Sequence, residues 1–315
     1  MRERETPPWA LILAGGDGTR LRPLTSQIAG DARPKQFCAV LDGETLLERT
    51  RRRADRLVRF DRQAVVVTRA HEPFYTPLVQ DLAPARLVVQ PENRGTAPGI
   101  VYPLLRVLEL AGDAPVIVMP SDHYVSDDAA FMAYVARAVD AVRARRSLVT
   151  LLGVEPSRPE TEYGWIAPAE MPLPIDGEPV FAIRRFIEKP DAPTAEQLYH
   201  RGCLWNSFVM VGWASAFLDL VAATHPALVA AFAPLRRVLG MPAEETVAAR
   251  VYAGLPAVTG FSETVLAAGA RRLGVVRVKG VEWSDWGHPR RVLASLGRAG
   301  VRPAWLDRVR LAEAG

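Results

Sequence analysis

Three glycines, Gly15, Gly16 and Gly18, follow a short apolar run, Trp9 to Leu13, and lead into Arg20 and then Arg33-Pro34-Lys35-Gln36. Glycines at the end of a buried strand let backbone N–H groups approach a ligand closely. Arg20 and Lys35 add fixed positive charge beside that loop. The combination suits a polyphosphate. It matches neither of the two familiar glycine motifs. Thr19-Arg20-Leu21 follows Gly18, so the third glycine of a dinucleotide fingerprint is missing, and no Gly-Lys-Ser/Thr triplet of a Walker A loop stands here. Taken alone, the loop is also compatible with a turn that binds nothing.

Two aspartates offer ligands to a divalent cation. Asp122 follows an apolar strand in Pro120-Ser121-Asp122-His123, and Asp285 lies in Trp283-Ser284-Asp285-Trp286-Gly287. Mg²⁺ prefers oxygen ligands and often takes one or two protein carboxylates together with substrate phosphates. The competing reading of each aspartate is a helix cap or turn former. His123 and His288 match no zinc spacing and read as structural. Of 39 basic residues only Lys35, Lys189 and Lys279 are lysine. Where arginine fills nearly every ordinary basic position, a retained lysine suits a site that needs a compact point charge. Lys279 lies in no motif and reads as incidental.

These residues need a frame. In the first half, apolar strand-like segments (Trp9–Leu13, Gln63–Thr68, Arg86–Gln90, Pro115–Met119, Ser147–Gly153) alternate with helical ones (Glu44–Leu57, Glu72–Leu82, Thr96–Ala111, Asp128–Arg145). That alternation predicts a largely parallel sheet covered on both faces. Beyond Pro156, Tyr163–Ala167 and Val180–Glu188 are extended on either side of a Pro/Gly-rich stretch, Pro168–Pro179, which predicts a small β-lobe beside the sheet. Leu204–Gly212 and Leu273–Val278 read as strands; Ala214–Ala223, Pro226–Val238, Ala243–Ala253, Glu263–Ala270 and Pro289–Ala299 read as helices. The fold class is therefore α/β, a largely parallel sheet flanked by helices. Residues 1–155 read as one half and 156–315 as the other. Open sheets of this kind bind ligands beyond the carboxyl ends of their strands. Pro91 to Thr96, Asp122, Glu188-Lys189 and Asp285 fall at or just beyond such ends.

Composition narrows the class. The net charge is only +4 over 315 residues, and no basic block is interleaved with aromatics, which argues against nucleic acid as a partner. Arg51-Arg52-Arg53 and Arg143 to Arg146 read as solvated helix faces. Cys38 and Cys203 make no disulfide framework. No window approaches the ~18 apolar residues of a membrane span, and the charged N-terminus is unlike a signal peptide, so the expected location is the cytoplasm.

The segments LAGGDGTRLRPLT, RPKQF, PSDH, YGWI, FIEKP, LWNS and WSDWG, in that order, resemble the motifs of the sugar nucleotidyltransferases, and among those the bacterial mannose-1-phosphate guanylyltransferases, over about residues 9 to 290. Each segment is weak alone; their order is specific. The resemblance implies a mixed, mostly parallel, Rossmann-like sheet flanked by helices. The resemblance implies transfer of a nucleotidyl group from a nucleoside triphosphate, GTP for the nearest relatives, to a sugar 1-phosphate such as mannose 1-phosphate, with Mg²⁺ and release of pyrophosphate. It implies that Leu13, Ala14, Gly15, Gly16, Gly18 and Thr19 wrap the nucleotide, with Pro91, Asn93 and Thr96 alongside. Arg20 and Lys35 would hold its phosphates, and Asp122 and Asp285 would bind the metal. Gly164, Glu188, Lys189 and Asn206 would read the sugar and its phosphate, the β-lobe serving that side. The expectation is a single nucleotidyltransferase domain without the C-terminal isomerase domain that many relatives carry. A homodimer is left open.

The chain departs from that pattern in three places. Gly95 stands where an asparagine is usual, Arg22 where a tryptophan is common, and Phe208 where glycine follows Asn-Ser. Gly95 and Phe208 leave the base and sugar open, so thymidylyl or uridylyl transfer and glucose 1-phosphate stay as alternatives. Two further rivals are a nicotinamide-dependent dehydrogenase, disfavoured by the missing third glycine, and a non-catalytic sensor of sugar nucleotides, disfavoured by the joint presence of Lys35, Asp122, Lys189 and Asp285.

Overall fold

The computed structural model describes residues 6–41, 43–175, 179–256 and 259–309. Its strands are β1 (Trp9–Leu13), β2 (Gln63–Thr68), β3 (Leu87–Gln90), β4 (Pro115–Pro120), β5 (Tyr124–Val125), β6 (Val149–Val154), β7 (Gly164–Pro172), β8 (Val180–Glu188), β9 (Leu204–Trp213), β10 (Leu273–Val278) and β11 (Trp283–Ser284). Nine of them form one sheet in the order β3-β2-β1-β4-β9-β6-β10-β8-β7. The strands β1 to β4 pair in parallel, as do β6 and β10, whereas β8 and β9 run against their neighbours. Every residue of β2, β4 and β6 is buried, as expected of strands with helices on both faces.

The extended segments beyond Pro156 are continuous with this sheet. The strand β8 pairs with β10, and β7 pairs both with β8 and with the start of β9, so the far half of the sheet curls back on itself. Residues 176–178 of the Pro168–Pro179 stretch and residues 1–5 of the N-terminus lie outside the described residues. A boundary at residue 155 does not separate two halves in space. The strand β9, from the second half of the chain, sits between β4 and β6 from the first. It is buried along almost its whole length, and only a central position in the sheet can bury an apolar strand on both faces.

Helix starts carry recognisable caps. Thr45 and Glu48 make a reciprocal capping box for the helix Leu46–Ala54, and Asp127 caps Asp128–Ala144. Two helices were not expected. Arg22–Ala29 has Pro23 in its first turn and stops at Gly30 in the left-handed region, and Ala192–His200 is capped by Asp191. The expected helix Glu72–Leu82 is interrupted. An α-helical turn, Glu72–Tyr75, gives way to a tighter turn at Thr76–Leu78, where Pro77 supplies no N–H. The Arg51-Arg52-Arg53 run is not a solvated face. Arg51 and Arg53 are buried and paired with Asp81 and Asp128, at 2.8 and 2.6 Å.

Beside the main core lies a second, smaller one built from Leu21, Leu24, Val40, Leu46, Tyr124, Trp286, Val292, Leu296 and Trp305. It seats the chain immediately beside Arg20, Asp122 and Asp285. The rings of Tyr124 and Trp286 stack at 5.0 Å, and β5 pairs antiparallel with β11. On the opposite side, the segment around Thr259 lies across the start of the helix Thr96–Ala111. Thr259 N–H donates to Arg94 O, Thr259 O accepts from Ala97 N–H, and Phe261 N–H donates to Thr96 Oγ1. Gly95 makes this possible. Its φ is 91°, and a Cβ there would overlap the Thr259 backbone. Gly95→Ala should therefore cost about 2 kcal/mol or more of stability, read as the shift in a urea unfolding midpoint. An unchanged midpoint would show that the segment does not need this close approach.

Candidate active site

One cleft of about 460 Å³ opens beyond the carboxyl ends of β1, β3 and β4, with the end of β8 and the start of β9 on its far side. It is lined by Leu13, Gly15, Gly16 and Arg20 near β1, and by Asn93, Thr96 and Asp122 beside them. Gly164, Glu188, Lys189, Asn206 and Asp285 complete the facing side. Most of the sequence-predicted residues, from both halves of the chain, thus share one cavity.

The glycine loop is held from behind. Ser121 donates to Leu13 O, Gln36 Nε2 to Ala14 O and Gly16 O, and Thr68 to Gly15 O, at 2.6 to 3.0 Å. With four consecutive carbonyls occupied, the polar valence left to the loop is its N–H groups, as an anion cradle requires. A Cβ on Gly15 would overlap the Gln90 amide nitrogen, so a side chain there would push that amide aside. Ala14 does not contact the cleft: its N–H is spent on Val66 O and its side chain is buried. Gly18, Thr19 and Pro91 also stay off the cavity wall. Gly18, at φ 58°, turns the chain into the short 3₁₀ turn Thr19–Leu21. Asn93 bridges two loops, donating to Asp17 and accepting from Gly95 N–H.

Lys35 is not on the wall either. It is buried, and its ammonium lies 3.2 Å from an Asp122 carboxylate oxygen while donating to the carbonyls of Asp285 and Trp286. Its charge therefore reaches the cleft through the acids it holds. Burial works to raise the Asp285 carboxyl pKa, but Lys35 and Arg291 beside it outweigh burial and hold it below the usual carboxylate range. Burial keeps the neighbouring His123 imidazole below its ordinary value. His288 caps the last helix, accepting from Arg290 N–H at Nδ1.

Sequence reasoning missed a second tier. Arg291 reaches three carboxylates, Asp285 at 2.9 Å, Glu160 at 3.0 Å and Glu162 at 2.6 Å, and lies over the Tyr163 ring. Arg20 faces two of the same acids more loosely, Glu162 at 3.5 Å and Asp285 at 3.8 Å. Gln90, the last residue of β3, lies between Gly15 and Gly99 with its Oε1 accepting from Tyr252, and it lines the cleft. A polar residue ending an apolar strand was a legible signal for Gln90. For Arg291, among many arginines, there was none. Lys189, Phe208 and Trp286, at φ 44°, 60° and 46°, are the non-glycine residues with positive φ among those described. Two line the cleft and the third adjoins Asp285, the distribution expected where backbone strain is held by a functional site.

The donor set fits Mg²⁺ in kind: two carboxylates, Asp122 and Asp285, with hard oxygens facing one cleft. Among the described residues no group of three or more His, Cys, Asp or Glu is placed to hold a metal unaided, so substrate phosphates would have to complete the shell. Among those residues, too, no helix is long and apolar enough to cross a membrane.

Residues 9–293 match the model of the nucleotidyl transferase family. The xanthan biosynthesis protein XanB of Xanthomonas campestris pv. campestris is 34% identical over 221 residues, covering 69% of this chain and 44% of that protein. Mannose-1-phosphate guanylyltransferase RfbM of Salmonella typhimurium is 30% identical over 214 residues, covering 66% and 42%. The chain thus spans less than half the length of these curated relatives. The crystal structure of a mannose-1-phosphate geranyltransferase from Thermus thermophilus aligns with a TM-score of 0.77 at 31% identity, over 94% of this chain and 80% of that one.

Arg291 generates a test. Arg291→Met should leave the fold intact by circular dichroism yet lower kcat/KM at least ~10-fold, because a misplaced carboxylate spoils alignment. Arg291→Lys should recover little of the loss, since a point charge cannot span three carboxylates. Wild-type kinetics in the Met variant would show that Asp285 is held adequately without it.

Proposed function

The chain belongs to the nucleotidyl transferase family, and from that premise we propose that it transfers a guanylyl group from GTP to mannose 1-phosphate, with Mg²⁺, releasing pyrophosphate. The observation that carries the reading is the convergence of Gly15, Gly16 and Asp122 with Glu188, Lys189, Asn206 and Asp285 in one cleft. Such a cleft suits a triphosphate on its glycine-loop side and a polar sugar phosphate on the side facing it. The choice of guanine is supported by the name of RfbM, and that of mannose by the names of both RfbM and the Thermus thermophilus protein.

In this reaction a phosphate oxygen of the sugar phosphate attacks the α-phosphorus, and the bond from that phosphorus to the bridging oxygen of the departing pyrophosphate breaks. The nucleophile is already anionic and needs no general base. The obstacle is charge: two unit charges ~4 Å apart at an effective dielectric of ~20 repel by about 4 kcal/mol. Positioning and charge stabilisation carry most of phosphoryl chemistry. The loop N–H groups receive the nucleotide phosphates, and Arg20 stands at their side. Lys189 faces the sugar phosphate, and Glu188 and Asn206 offer acceptors to sugar hydroxyls. Lys35 fixes Asp122 from behind. Mg²⁺ held by Asp122 and Asp285 would neutralise phosphate charge at the point of attack. The Gln90 amide nitrogen, with Oε1 held by Tyr252, offers a donor to a base edge.

Pyrophosphate release over a grid of nucleoside triphosphates and sugar 1-phosphates tests this directly. GTP with mannose 1-phosphate should turn over fastest, and Asp122→Ala and Asp285→Ala should each lose at least ~10²-fold while remaining folded. A different fastest pair would replace the base or sugar assigned here; no release with any pair would end the catalytic reading.

Glu188 supplies a pH signature. Burial raises its carboxyl pKa, with Glu263 adding to the shift and Lys189 opposing it. As pH falls, Glu188 therefore protonates earlier than an ordinary glutamate at ~4.3. The kcat/KM for the sugar phosphate should begin to decline at correspondingly higher pH. Glu188→Gln should lower kcat/KM and remove that part of the acid limb. The second ionisation of a phosphate near ~6 is common to both proteins and cancels in their ratio. A ratio independent of pH would take Glu188 out of this role.

A further inference from the structure

A second cavity, about 700 Å³, lies behind the wall of the cleft, beyond the carboxyl ends of β6 and β10. Its size is that of a small-molecule site, and its position is one where open α/β sheets take ligands. Arg158, Arg290, Arg291 and Arg298 line it against two acids, Glu155 and Glu282. Both acids are already matched, Glu155 by Lys279 at 3.2 Å and Glu282 by Arg298 at 2.5 Å. The side chains of Arg158, whose guanidinium meets Glu160 at 3.1 Å, and of Arg298 remain about half exposed.

Trp205 and Trp283 line the same cavity and are 4% and 5% exposed, yet neither indole N–H has an acceptor among the described residues. A buried donor without an acceptor costs about 1–3 kcal/mol, and native structures rarely leave one without a reason. Half-exposed arginine side chains around a cavity of this size suit an anion that accepts hydrogen bonds. The cavity is also tied to the cleft. Trp283 and Tyr163 line both, and Arg291 lines this one while its guanidinium holds Asp285 in the other.

We propose that this cavity is a second binding site, for a phosphate-bearing anion up to the size of a mononucleotide, and that its occupancy reaches the catalytic cleft through Trp283, Tyr163 and Arg291. The binding claim does not depend on nucleotidyl transfer; the effect on turnover rests on that reading.

Calorimetric titration of the whole chain with inorganic pyrophosphate, and separately with GDP, tests it. Two sites per chain are expected for at least one of the two probes. In the double variant Arg158→Ser/Arg298→Ser the second site should weaken at least tenfold, while the first site and the basal rate of pyrophosphate release stay unchanged. Equal affinity for the two probes identifies the phosphates alone as the ligand; tighter GDP identifies a nucleotide. One site in the wild type with both probes, or two unaltered sites in the variant, overturns the proposal. Should the double variant melt early, Arg158→Ser alone, which keeps the Arg298–Glu282 pair, should weaken the second site severalfold, and no weakening overturns it. With substrates saturating, the second-site ligand should change kcat at least twofold in the wild type and not in the variant. Binding without that change overturns the coupling. A wild type with no turnover on any substrate pair sinks the functional reading, while the titration still decides the site.

Discussion

One buried ammonium organises the reacting side of this molecule. Lys35 Nζ meets an Asp122 carboxylate at the end of β4 and two backbone carbonyls, from Asp285 and Trp286, far along the chain. Out of water, a charge left unpaired is expensive, so all three acceptors are drawn to a single point. A compact ammonium can serve three convergent acceptors where a planar guanidinium cannot. In a chain whose basic residues are almost all arginine, this is a physical reason for a lysine here. The result is that two aspartates from separate segments face the same cleft.

That convergence is reinforced by packing. The small core around Tyr124 and Trp286 fixes the residues next to both aspartates, and the β5–β11 ribbon pins their backbones. Trp286 sits at positive φ and is fully buried, so the strain of its backbone is held by its own ring contacts. The carboxylate of Asp285 is then fixed by Arg291 and by Gly287 N–H. Backbone, packing and charge act on the same few residues, which is how a site on loops acquires the rigidity of a site on strands.

The sequence made the parts of this site legible and hid what holds them. Apolar runs such as Gln63–Thr68 and Leu273–Val278 can only be strands, and their ends agree with the structure to the residue. Gly15, Gly16, Asp122 and Asp285 stand out because they lie beyond apolar strands, where open α/β sheets take ligands, together with cations nearby. Lys35 was legible as a needed charge but not as a buried one, because burial depends on partners distant in sequence. The same holds for Arg51 and Arg53, whose acids Asp81 and Asp128 lie on other elements. The helix Ala192–His200 went unread because its apolar content is low, though Asp191 followed by Thr194 marks its cap. The interleaving of β9 between β4 and β6 could not be read at all, since strand order is a property of the whole sheet.

Charge counting along the cleft wall adds a constraint on how it could take a polyanion. Arg20, Lys35, Arg158 and Arg291 are cations of the connected network, and Asp122, Asp285, Glu160 and Glu162 are its acids. Four carboxylates against four cations leave this network without net charge. Net attraction for a polyanion would then come from the loop N–H groups and from positive charge arriving with the ligand, and a divalent cation bound there would make the network positive. Arg20 stands 3.5 Å or more from its acids. Pairs that loose, with Arg20 and Glu162 about half exposed, cost little to exchange for a phosphate. The tight pairs of Arg291 would keep Asp285 in place during such an exchange.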